Sequence, residues 1–130
     1  MNNMTWHCEL VLKNDRDCQC AVECITTHVM NHVYHDYQGR PYSDQMKERI
    51  YVLSKFLRNY VEEITDANNE YNRYDPMGSE LICGALQEIS FREIAETLIG
   101  DYSPKTAEEI ADNEEYFNIM GFGNYDIDED

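Results

Sequence analysis

Positive charge is what this sequence has least of: 10 Lys and Arg stand against 26 Asp and Glu, a formal net charge of -16 over 130 residues. Nucleic-acid binding draws on clustered Lys and Arg that displace counterions, so direct binding to DNA or RNA is not expected. Anionic membrane surfaces are disfavoured for the same reason. No run of about 18 apolar residues occurs, so no segment is expected to span a bilayer. The opening stretch, MTWHCELVLKND, has neither the basic flank nor the long apolar core of a signal peptide. Together these absences predict a cytoplasmic protein. No internal repeat and no glycine-rich phosphate loop is present. The CxxC dithiol of redox proteins is also missing, and five cysteines cannot all pair, so a disulfide framework is not expected.

What the sequence does have is one domain's worth of helix-forming pattern. At 130 residues a second independent core is not expected. Residues 4–13 form a short apolar segment whose length suits either strand or helix. Asp17 is the expected N-cap of a helix reaching about Tyr37, with Val22, Ile25, Val29 and Val33 on one buried face. Gly39-Arg40-Pro41 breaks the chain, and Ser43 is the expected cap of the next helix. Met46, Ile50, Leu53, Leu57, Tyr60, Val61 and Ile64 keep a helical repeat for six turns. After the polar loop around Asp75-Pro76, residues Met77, Leu81, Ile82, Ala85, Leu86 and Ile89 mark a third apolar face. Ser90 and Glu93 have the spacing of a capping box, with Ile94, Ala95, Leu98 and Ile99 turned inward until Gly100. Ser103-Pro104 is the expected start of a last helix carrying Ala107, Ile110 and Ala111. The reading is a mainly α, compact bundle of four to five helices spanning residues 1–118, with 119–130 as an acidic, mobile tail.

The stretch CQCAVECITTHVMNH, residues 18–32, concentrates metal-ligand chemistry. On a helix at about 100° per residue, Cys20, Cys24 and His28 follow one another at i, i+4 beside the valine and isoleucine face. Cysteines serving only as small hydrophobes should lie on that face itself. Zinc takes thiolate and imidazole in a tetrahedron. The expected site is therefore a structural zinc drawn from Cys8, Cys18, Cys20, Cys24 and His28, stapling the N-terminal segment to the bundle. His32 and His35 would replace a ligand or form a second site, with His7 beside Cys8. The competing reading is buried thiols with exposed histidines. Cys83 is expected in the core. A catalytic zinc would need a base, for which Glu9 and Glu23 are the nearest names, but nothing in the sequence places either one, and no enzyme is expected.

From Asp101 onward there are ten acidic residues and one basic residue, Lys105. Asp126, Asp128 and Asp130 begin like a calcium loop, without the glycine and glutamate that complete one. Glu108, Glu109, Asp112, Glu114 and Glu115 are expected to face a basic groove, with Tyr116 and Phe117 as anchors, helped by Phe122 and Tyr125. Lys47, Arg49, Lys55 and Arg58 suit surface pairs on the second helix, or a homodimer in which they meet the acidic end of another copy.

In size, acidity and ligand clustering the whole chain resembles small phage-encoded anti-defence proteins, most closely an anti-CRISPR protein that inhibits a type II nuclease. The resemblance implies a non-enzymatic inhibitor in the bacterial cytoplasm. It would occupy a positively charged lobe of a CRISPR nuclease and block loading of guide or target. Some members of that class contain structural zinc. The alternatives are a zinc-stabilised regulatory or adaptor protein with a partner of another kind, and a small metalloenzyme.

Overall fold

Asn2 sets the start of the first helix: its side chain accepts from the Thr5 amide at 2.8 Å, so α1 runs Asn3–Asn14. The apolar segment that suited strand or helix is therefore helical. One residue later Asp15 caps α2, Arg16–Asn31, by accepting from the Cys18 amide at 3.0 Å. The cap is thus Asp15 and not Asp17, because the turn between the helices is a single extended residue. The helix ends at Asn31, short of Tyr37, with His32 extended at its C-cap. Helix α3, Tyr42–Ile64, carries the six-turn repeat, and it begins before Ser43, which lies inside it.

Ser90 caps α4, Phe91–Asp101, accepting from the Glu93 amide at 3.4 Å. Gly100 does not end this helix but lies in its last turn. The final helix, α5, is Ala107–Ile119 and starts at Thr106 rather than at Ser103-Pro104. Thr106 and Glu109 satisfy each other's backbone amides in a complete capping box, which outweighs the Ser-Pro signal three residues earlier. A 3-10 turn, Phe122–Asn124, follows.

The computed structural model describes residues 1–32, 42–65, 83–125 and 127. Val33, His35, Tyr37, the Gly39-Arg40-Pro41 break, Asp75-Pro76, Met77, Leu81, Ile82, Asp126, Asp128 and Asp130 lie outside the described residues. Within them the chain is mainly helical, with five α-helices, a helical stretch at 83–88, one 3-10 turn and no strand. No helix among them is long and apolar enough to cross a membrane.

Helix α2 is the centre of the bundle, packing against α1, α3, α4 and α5. Its buried residues are Cys18, Ala21, Val22, Cys24, Ile25, Thr26, Thr27 and Val29, which cover more than one stripe. Helix α3 contributes Val52, Leu53, Phe56, Leu57, Tyr60 and Val61, and α4 adds Phe91, Ile94, Ala95 and Ile99. Cys83 is half-buried rather than in the core. Thr5, fully buried, joins α1 to the turn before α4: its hydroxyl accepts from the Ser90 amide at 2.8 Å and faces the Glu88 carbonyl at 3.5 Å. Asn2 donates to the same carbonyl at 2.7 Å.

The stretch expected to be a free tail from residue 119 is held to the bundle. Gly121 takes a left-handed φ of 76°, open to glycine at no steric cost, and turns the chain back. Phe122 then enters the core with 0% exposure, meeting Tyr60 and Phe117 edge-on at 5.8 Å each. Tyr125 packs against Phe122 at 5.6 Å. Acidity at 126–130 suggested a tail, but the aromatic pair ahead of it decides where 119–125 lies.

Candidate functional site

The last helix has two sides of different character. Its inner side is narrow: Phe117 is its one fully buried residue, with Asn113, Glu114 and Tyr116 half-buried. Of the three residues expected inward, Ile110 is half-buried on this side, whereas Ala107 and Ala111 are exposed. Its outer side presents Glu108, Glu109, Asp112 and Glu115, all exposed. Glu108, Asp112 and Glu115 follow the i, i+4, i+7 spacing of one stripe, rising about 10 Å along the axis at 1.5 Å per residue. Among the described residues none of these three has an ion-pair partner. Glu109 differs, since its carboxylate is held by the Thr106 amide and hydroxyl at 3.2 and 3.0 Å. Those hydrogen bonds, the backbone one first, keep it below the usual carboxylate range.

Two residues expected at a partner surface face inward. Glu114 accepts from His28 Nδ1 through Oε2 at 2.8 Å, and Phe117 stacks on the same imidazole with ring centres 3.8 Å apart and planes 10° from parallel. On its other face His28 stacks on His32 at 4.1 Å. Because Glu114 and Phe117 are three residues apart on α5, one gives a carboxylate to the edge of the His28 ring and the other covers its face. Tyr116 is half-buried beside Cys20 and Cys24, and burial first, then those thiols, raises its hydroxyl pKa. Phe117 and Phe122 are core residues and not anchors for a partner.

Burial is the first influence on His28 and holds its imidazolium pKa below the ordinary value. The hydrogen bond and charge of Glu114 act in the opposite direction, and His32 adds a further depression. His32 is fixed differently: its Nδ1 donates to the His28 carbonyl at 2.8 Å. A carbonyl only accepts, so the Nδ1 proton is assigned and Nε2 is left with its lone pair exposed in the neutral ring. That Nε2 lies 3.7 Å from Oε1 of Glu114.

The expected zinc ligands are not assembled. Among the described residues one group of three or more metal-ligating side chains converges, and it is His28, His32 and Glu114, with all three donor atoms within 4.8 Å of one another. Of the five sequence candidates, only His28 belongs to it. Cys18 and Cys24 are buried, Cys8 is half-buried and Cys20 is exposed, and among the described residues no three ligating atoms that include a thiol converge. Cys24 is 1% exposed and its thiol donates to the Ala21 carbonyl at 3.3 Å. Burial, reinforced by Cys20 and Glu114, pushes that thiol up to about 12. Burial, with Cys18 and Glu9, takes Cys8 to about 11. The cysteine stripe does face something other than the main core, as its separation on the helix implied. What it faces is α5, which makes Cys24 a buried filler on a second packed side.

Neither acid named for metalloenzyme chemistry stands at the cluster. Glu23 pairs with Lys105 at 3.0 Å, and Glu9 with Lys13 at 2.7 Å. Reading residues 18–32 by cysteine density left His32 as a reserve ligand, although His28 and His32 form an HxxxH pair one helical turn apart, visible in the sequence. Glu114, 82 residues beyond His32, carried no such signal. Comparison with family models, with curated proteins and with solved structures finds no match for this chain.

Proposed function

We propose that the protein is a non-enzymatic inhibitor that binds a basic nucleic-acid-handling enzyme, a type II CRISPR nuclease being the first candidate, through the outer face of α5. The observation that carries this reading is the stripe Glu108, Asp112 and Glu115: exposed, evenly spaced, and without an ion-pair partner among the described residues, on a chain of net charge -16. Carboxylates repeated along a rigid helix offer a positively charged lobe what a phosphate backbone offers it, and the protein's overall field speeds the encounter. CRISPR nucleases hold their heteroduplex in such a channel. Occupying it blocks loading of guide or target with no chemistry required. A zinc ion in this reading is a support for α5 and not a reagent.

The test is reversal of the stripe. The triple variant Glu108→Lys, Asp112→Lys, Glu115→Lys leaves Glu109 in its cap and Glu114 on His28, so the fold is kept. Its binding to a purified type II nuclease, and its inhibition of guide-directed cleavage, should both fall at least tenfold. The wild-type dissociation constant should rise steeply with salt. Undetectable wild-type binding at low salt, or full inhibition by the folded triple variant, refutes the reading.

A further inference from the structure

We infer that His28, His32 and Glu114 form a binding site for one divalent late-first-row transition metal ion of the zinc type, clamping the end of α2 to α5. Among the described residues these three side chains are the one group whose metal-ligating atoms converge, all within 4.8 Å of one another. His32 gives Nδ1–H to the His28 carbonyl, which leaves Nε2 as the ring nitrogen that faces Oε1 of Glu114 across 3.7 Å. Beside them, His28 Nδ1 sits 2.8 Å from the other oxygen of the same carboxylate.

The spacing suits a metal. Zinc binds imidazole nitrogen at about 2.0 to 2.1 Å and carboxylate oxygen at about 2.0 to 2.2 Å. Tetrahedral ligand atoms at that radius stand about 3.4 Å apart, and one donor atom from each of the three residues lies within 4.8 Å of the others, so small side-chain shifts close the set. The ion takes the place of the proton between Nδ1 and Oε2, and the neutral His28 ring then carries its one N–H at Nε2. The remaining coordination position is open to water.

The surroundings supply the orientation that metal sites need. A ligating histidine usually donates its second ring N–H to a carbonyl or carboxylate, which fixes the ring and the tautomer. His32 already does so within its own helix. Phe117 on one face and His32 on the other hold the His28 plane. Two imidazoles and one carboxylate select zinc, copper, nickel or cobalt over calcium and magnesium, which take all-oxygen shells. The buried, protonated cysteines stand outside the set.

The experiment is titration of the metal-free full chain with zinc, followed by calorimetry, alongside cobalt(II) substitution followed by absorption spectroscopy. The inference expects one zinc equivalent bound and no binding of calcium or magnesium at the same concentrations. Cobalt should give ligand-field bands without the near-ultraviolet charge-transfer band of a thiolate. His32→Ala, at the half-buried C-cap of α2, should weaken zinc at least tenfold with the fold confirmed by circular dichroism. Cys20→Ser should leave the affinity unchanged. Absence of zinc binding overturns the inference. Stoichiometric binding with a thiolate band, or binding that survives His32→Ala at full affinity, overturns it in favour of the cysteines. The readouts are independent of any nuclease, so failure of the inhibitor reading leaves this test intact.

Discussion

Replacing Phe122 with alanine separates a mobile acidic tail from an integral part of the bundle. Phe122 is 0% exposed and lies within 6 Å, centre to centre, of three other rings: Tyr60 and Phe117 at 5.8 Å and Tyr125 at 5.6 Å. Truncating a buried phenylalanine costs about 3 to 5 kcal/mol, the transfer of the ring plus the cavity it leaves. Aromatic pairs of this geometry are worth about 0.5 to 1.5 kcal/mol each beyond burial, which places this site toward the upper part of that range. Neighbouring rings that collapse into the space would move it down. The total stability of a domain is about 5 to 15 kcal/mol, so the loss is a large share of the whole. Urea unfolding followed by far-ultraviolet circular dichroism reads it as a lower midpoint at unchanged slope. A loss below about 1 kcal/mol would refute the reasoning, since no ring seated in a packed core is removed so cheaply. Ile119→Ala, at a side chain 73% exposed, is the control within the same segment and should change little.

Thr5→Val tests the polar joint between α1 and α4. The shape is kept while the Ser90 amide and the Glu88 carbonyl lose their hydroxyl partner, for an expected cost of about 1 to 3 kcal/mol by the same denaturation assay; a neutral outcome would mean that the hydroxyl is not integral to the joint. Thiol reactivity tests the burial pattern of the cysteines. At mildly alkaline pH an alkylating reagent should modify exposed Cys20 first, while Cys8, raised to about 11, and Cys24, raised to about 12, lag because only thiolate reacts. Peptide mass spectrometry of a time course would show it, and Cys24 labelled as fast as Cys20 in the folded protein would contradict the structure.

The legible parts of this fold were those governed by a single helix's own pattern. The long repeat of α3 from Met46 to Val61 and the inward face of α4 follow from spacing alone, because each helix buries one stripe; Ile64, expected to continue the repeat, is exposed at the helix end. Helix α2 did not yield to that treatment. It lies at the centre and is covered on several sides, so Cys24 reads as displaced from the core when it belongs to a second buried face. Residues 119–125 failed for a related reason. Gly121 and Phe122 look like punctuation among acids until Tyr60 and Phe117, from two other helices, make a place for the ring. The site failed most completely at Glu114, whose role depends on a contact with His28 across 86 positions. No local pattern distinguishes it from Glu115, which faces outward one residue later.

That division of adjacent acids bears on how salt effects should be understood. A chain of net charge -16 is opposed in folding by its own repulsion, and salt relieves it, so the folded state gains as ionic strength rises. The proposed association of the outer stripe with a basic lobe would move the other way, because the same ions screen an attraction. The Glu114–His28 contact lies partly out of solvent, with its side chains 29% and 14% exposed, and is screened less than either. Three charge-dependent equilibria on one short helix therefore respond to salt with different signs and sensitivities. Under the proposed function, loss of inhibition at high salt with the fold intact would belong to Glu108, Asp112 and Glu115. Loss of both at low salt, recovered on adding salt, belongs to the repulsion that α5 withstands through Phe117 and the imidazole it covers.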